Sequence, residues 1–140
     1  MSRPHYAAVK AQIETDSALA GKGYDSARRD TAGALIRDTY WILFGGGPDD
    51  LDDNRFMKTQ DVDSAAEYVY TARAVSVTAD GCRAVTDKII AATVGKTLTV
   101  TGRTLDPLRL TSSDPVDADE SVKPPLYYAD TELTLVSRRA

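Results

Sequence analysis

The chain has 140 residues, 42% of them hydrophobic, which suits one domain with a modest core of its own. A formal net charge of -4 argues against a grip on nucleic acid, which relies on basic patches that displace counterions from phosphates. Cys82 is the only cysteine, so an intrachain disulfide and a multi-cysteine zinc site are excluded and a reducing compartment suffices for folding.

Residues 1–6 carry no apolar signal core, and no run approaches the roughly 18 apolar residues of a membrane span, so the expectation is a soluble chain with no membrane partner and no export by itself. A helix is expected over 3–20: Pro4 suits its first turn, Tyr6, Val9 and Ile13 recur on one face, and Gly21-Lys-Gly23 stops it. A polar stretch, 24–32, precedes a strand over 35–44. Ile36, Tyr40, Ile42 and Phe44 share one of its faces, and Leu35, Thr39, Trp41 and Leu43 share the other. Such a strand is either central in a two-layer domain or covered by a neighbouring subunit.

Gly45-Gly-Gly-Pro48 is expected to end this strand and open a polar segment reaching Ser64. The next strand spans 67–77, with Val69, Val75 and Val77 in one phase and Tyr68 and Tyr70 in the other; Arg73 interrupts the first face and suggests a bulge or an exposed edge. Asp80 is expected to cap a helix whose stripe is Cys82, Val85, Ile89 and Ala92, with Gly95 as its stop. A strand through Leu98 and Val100 fills 96–103, a short one is allowed at 108–110, and a Pro- and Asp-rich loop over 114–125 leads into a final strand, 126–137. There Tyr127, Ala129, Thr131, Leu133 and Leu135 alternate with Tyr128, Asp130, Glu132 and Thr134, which implies one dry and one wet face. The order predicts an α+β domain, 1–140, in which a mostly antiparallel four- to five-stranded sheet packs against two helices.

No catalytic motif emerges, and no cofactor is called for. His5, the only histidine, reads as a surface or helix-end residue, since nothing nearby orients it as a base. Cys82 lies in the first turn of a helix, where a thiol can be activated, but its place on the apolar stripe favours a buried small hydrophobe. Asp49, Asp50, Asp52 and Asp53 form an acidic loop without the register of a calcium-binding loop. Asp114, Asp117, Asp119 and Glu120 raise the question of magnesium, yet no phosphate-binding glycines or lysine accompany them.

The segments Tyr40-Trp-Ile-Leu-Phe44, 68–77, 80–94, Leu98-Thr-Val-Thr-Gly-Arg103, Asp117-Ala-Asp-Glu-Ser-Val-Lys-Pro-Pro125 and 127–138 follow one another in an order and flavour that resembles the tail terminator proteins of long-tailed bacteriophages. The resemblance implies a non-enzymatic virion protein of the tail neck, assembled in the host cytoplasm, that forms a hexameric ring on the head-proximal end of the tail tube. Such a ring stops tube growth and joins the tail to the head. Its implied partners are the major tail tube protein, the head-completion (stopper) protein and genome DNA that passes through an acidic lumen without specific binding. Trp41 and Leu43, on the strand face that a single-sided core does not need, are candidates for a subunit or layer contact. Asp117, Asp119, Glu120, Lys123, Pro124 and Pro125 reach an adjoining subunit or ring, and Arg103, Arg109 or Arg138 pairs with their carboxylates. The rival readings are another neck protein, either a head-closure or a head-to-tail connector protein, a small metal-dependent enzyme built on the 114–120 carboxylates, and a cellular adaptor.

Overall fold

The computed structural model describes residues 2–50 and 65–140. Among them are two helices, α1 (Ser2–Ile13) and α2 (Ala79–Thr93), and seven strands: β1 (Gly23–Tyr24), β2 (Tyr40–Asp50), β3 (Ala65–Ser76), β4 (Arg103–Leu105), β5 (Arg109–Ser113), β6 (Asp117–Asp119) and β7 (Leu126–Arg139). All belong to one sheet, in which only the β1–β2 pair is parallel. The fold is thus α+β with a mostly antiparallel sheet, as expected. It has seven strands rather than four or five because short pieces line its edges.

β3 is central, flanked by β2 on one side and by β7 on the other. Its side chains alternate in burial along nearly the whole strand, as a pleated strand requires. Tyr68, Tyr70, Ala72 and Ala74 join Trp41 and Leu43 of β2 and Leu133 and Leu135 of β7 beneath the helices, where Val9, Ile13, Cys82, Val85 and Ile89 cover them. Trp41 and Leu43, candidates for a subunit or layer contact, therefore lie in the chain's own core at 0% and 1% exposure. The helices occupy the face for which the sequence leaves a neighbour open. Gly23 makes this packing possible, since a Cβ there would stand 2.3 Å from the Trp41 ring.

Several boundaries differ from expectation for local reasons. α1 ends at Ile13 rather than near Ala20, because Thr15 Oγ1 donates to the Gln12 carbonyl and the Asp16 carboxylate accepts from the Ala18 amide, drawing the backbone out of the helix. β2 starts at Tyr40, leaving 35–39 outside it, and Gly45 does not end it. Gly45 and Gly46 instead adopt φ of 92° and 87° at a bulge, and pairing with β3 resumes at Pro48. The cap of α2 is Thr78, whose side chain accepts from the Gly81 amide, while Asp80 sits in the first turn.

The strand expected over 96–103 does not form, although Leu98 and Val100 are buried. β4, β5 and β6 occupy the available edge of β7 in succession: Leu105 faces Ser137, Leu110 faces Leu133, and Asp117 faces Tyr128. They form one interrupted edge strand that gains a residue on β7 at each break. The amides of Asp106 and Asp114 carry the ladder across the outer two breaks by donating to the carbonyls of Val136 and Asp130. The first half of the 114–125 loop, 114–119, therefore runs along the edge of β7, and 120–125 is a turn, with a cis Lys123–Pro124 peptide.

Candidate assembly surface

The sheet face turned away from the helices carries a second, smaller apolar cluster. Tyr40, Ile42 and Val75 form it, with Tyr24 and Tyr128 packed around them. The chain from 24 to 39 makes an excursion at this end of the sheet and is pinned by polar contacts. The Arg28 guanidinium lies 4.7 Å from the Tyr24 ring centre and pairs with Asp38 at 3.3 Å, while its amide donates to the Tyr40 hydroxyl. Asp30 accepts from the amides of Ala32 and Ala34, closing a local turn. Arg37 donates to the Pro124 carbonyl and so ties the excursion to the 120–125 turn.

Between these two segments lies a cavity of about 400 Å³, lined by the aliphatic side chains of Leu35, Ile42, Val75 and Leu126 and by Asp119 and Glu120. Arg73 lines it as well. Its guanidinium is fixed by two hydrogen bonds to Asp130, 2.7 and 3.0 Å long, with the Tyr128 ring 5.0 Å and the Phe44 ring 5.6 Å away. Arg73 thus marks neither a bulge nor an edge. It stands in the central strand directly opposite Asp130, an acidic residue on the matching phase of β7, and that pairing of phases was the signal available in the sequence.

The expected contact residues fall into distinct places. Asp117, Asp119, Glu120, Lys123, Pro124 and Pro125 do cluster, at the β6–β7 connection. Asp117 accepts from the Ala118 amide, and Asp119 accepts from both the hydroxyl and the amide of Ser121, which hold its carboxyl below the usual range. Glu120, Lys123 and Pro124 are exposed. Arg103, a candidate partner for a neighbour's carboxylates, binds Ser137 of its own chain, its Nε donating to Oγ at 2.8 Å and its Nη2 to the carbonyl at 3.0 Å. Arg138 pairs with Asp106 of its own chain. Asp49 and Asp50 extend β2 opposite Glu67 and Ala66 instead of starting a loop, and Asp52 and Asp53 lie outside the described residues.

His5 is fully buried, not at the surface, because it stacks on Tyr68 with centroids 4.2 Å apart and meets Ser137 Oγ through Nε2. Cys82 is buried as expected, and burial pushes its thiol up to about 11. No group of three or more metal-ligating side chains gathers among the described residues, and no described helix is long and apolar enough to cross a membrane.

No protein-family profile matches the sequence, and no curated protein matches it. Solved structures do share its fold. A chain from the virion of a native gene transfer agent particle superposes with a TM-score of 0.69 at 18% identity, over 94% of this chain and 92% of that one. A second solved chain reaches 0.58 at 11% identity, over 98% of this chain and 92% of the other.

Proposed function

We propose that this chain is a structural virion protein of a phage-like particle and serves as the tail terminator, a six-membered ring on the head-proximal end of the tail tube. The observation that carries this reading is the end-to-end likeness to a chain of the gene transfer agent virion, with a TM-score of 0.69. The order of sequence segments narrows it to the terminator. Physically the role asks for two ring faces and one lateral contact repeated by symmetry, and the two buried candidates for chemistry, His5 and Cys82, both serve packing. The acidic balance suits a wall past which DNA slides without sticking.

Deleting the gene tests the role directly. Particles lacking a terminator should carry tubes of uncontrolled length that fail to join heads, and a map of the intact neck should show six copies between tube and head. Tails of normal length that attach to heads without the chain would exclude the role.

A further inference from the structure

We infer that residues 26–38 form a strap, hinged at Asp25 and Thr39, which covers the apolar cluster on the sheet face away from the helices and swings open as a unit when Arg37 releases the Pro124 carbonyl. The device belongs to the isolated chain and stands or falls apart from the terminator role.

Tyr40, Ile42 and Val75 are only 2%, 5% and 6% exposed, although the helices pack on the opposite face of the sheet. Their cover comes from the chain on either side of the cavity. Ala27 and Leu35 line it from the excursion, and Ala118, Asp119, Glu120 and Leu126 line it from the β6–β7 connection. The excursion also touches the cluster directly, since the Arg28 guanidinium lies 5.9 Å from the Tyr40 ring centre.

The strap is held to itself better than to what lies beneath it. Its backbone hydrogen bonds are internal: the amide of Asp30 donates to Ala34, that of Gly33 to Asp30 and that of Ile36 to Arg28. The Asp30 carboxylate and the Arg28–Asp38 ion pair close the same hairpin. None of residues 26–38 is buried. The two ends, by contrast, are fastened. Asp25 accepts from the Tyr6 hydroxyl of α1 at 2.5 Å, and the hydroxyls of Thr39 and Ser76 stand 3.1 Å apart. Between the ends, two polar ties reach other parts of the chain among the described residues: the Arg28 amide to the Tyr40 hydroxyl, at 3.3 Å, and the Arg37 guanidinium to the Pro124 carbonyl. Only the second joins the strap to the 120–125 turn. The cavity of about 400 Å³ under it withholds the close packing that would otherwise hold it down. A hairpin with internal bonds, fixed ends and one such latch moves as a body about its ends, below the free energy of global unfolding.

Thiol labelling of the purified chain tests this, because the only native cysteine reports on the other face of the sheet. Val75→Cys places a thiol under the strap, while Cys82, buried beneath the helices, reports opening of the main core in the same molecule. In native protein the thiol introduced at position 75 should react with a maleimide about tenfold or more faster than Cys82, and about tenfold or more slower than it does in urea-unfolded chain. Arg37→Ala should speed the reaction at position 75 by about tenfold and leave Cys82 unchanged, the factor expected for one hydrogen bond from a charged donor. Arg37→Lys, which keeps a donor, should retain most of the protection. Ile42→Cys gives a second reporter from β2, for the case that Val75→Cys does not fold. Equal rates for the two thiols would overturn the strap, because the cluster would then open only with the whole fold. Full reactivity at position 75 in native protein would overturn it as well, since the cluster would lack a cover, and so would a rate that Arg37→Ala leaves unchanged.

Discussion

His5 and Ser137, 132 positions apart, meet at 2.8 Å between Nε2 and Oγ, so the first turn of α1 is fastened to the far end of β7. Arg103 Nε donates to the same hydroxyl, so Ser137 Oγ joins both side chains. The ring also stacks on Tyr68 of the central strand. Ser137→Ala removes the partner that both side chains share and should lower unfolding free energy by about 1–3 kcal/mol. His5→Ala should cost more, about 2–4 kcal/mol, because it also empties a stacked, fully buried volume. Urea denaturation measures both; an unchanged midpoint for His5→Ala would return His5 to the surface.

The Gly45–Gly47 run gives a contrast within three residues. A Cβ on Gly46 would sit 2.3 Å from Tyr70 Cε1, and its φ is 87°, so Gly46→Ala must both strain the backbone and displace a core ring. The expected loss is about 2–4 kcal/mol. Gly47 has nothing within 4 Å of its Cβ position, and Gly47→Ala should change stability by less than about 0.5 kcal/mol. Thermal unfolding of the two variants checks whether the run is a shaped bulge or an indifferent strand exit.

What the sequence made legible follows from how local each signal is. The stripe of α2 and the alternation of β7 repeat within one element; both appear in the structure, the latter over 129–133 only, since Thr134, expected on the wet face, is buried beside β5. The burial of His5 is not legible in the sequence because its partners, Tyr68 and Ser137, are remote in the chain, and a lone histidine in a terminal turn gives no local hint of it. For Trp41 and Leu43 the sequence leaves a subunit contact and the chain's own core both open, because a strand apolar on both faces does not say which face the helices take. The 114–125 segment looked like a projecting loop since prolines and aspartates normally mark loops. Its bulged pairing along β7 is set by a register that only the tertiary structure supplies. The cavity was invisible for the same reason, because Leu35, Val75 and Leu126 meet only in three dimensions.

Arg73 and Asp130 offer a measurable coupling. Both are partly exposed, at 38% and 24% of their side chains, so solvent screening reduces what two charge-assisted bonds would otherwise provide. A double-mutant cycle of Arg73→Met and Asp130→Asn should give a coupling of about 1 kcal/mol. The Phe44 and Tyr128 rings should retain part of the Arg73 contribution when Asp130 is replaced. A coupling indistinguishable from zero would show that the pair only fills space on this face.

Alkaline pH should destabilise the fold, and the sign follows from the buried thiol. Burial raises Cys82 to about 11, so the folded chain holds its proton where the unfolded chain releases it. The stability linked to that proton is fully present below the ordinary thiol value, declines as pH rises, and is lost by about pH 11. Tyr6 and Tyr70 are raised in the same direction by burial and join the decline at higher pH. Cys82→Ala should therefore flatten the first part of the decline while leaving the tyrosine part intact. Denaturant midpoints measured from pH 8 to 11 check this, together with iodoacetamide labelling, which should modify Cys82 in native protein only at the rate at which the core opens. Rapid labelling at pH 8 in folded protein, or a pH profile identical in Cys82→Ala, would place this thiol in contact with solvent.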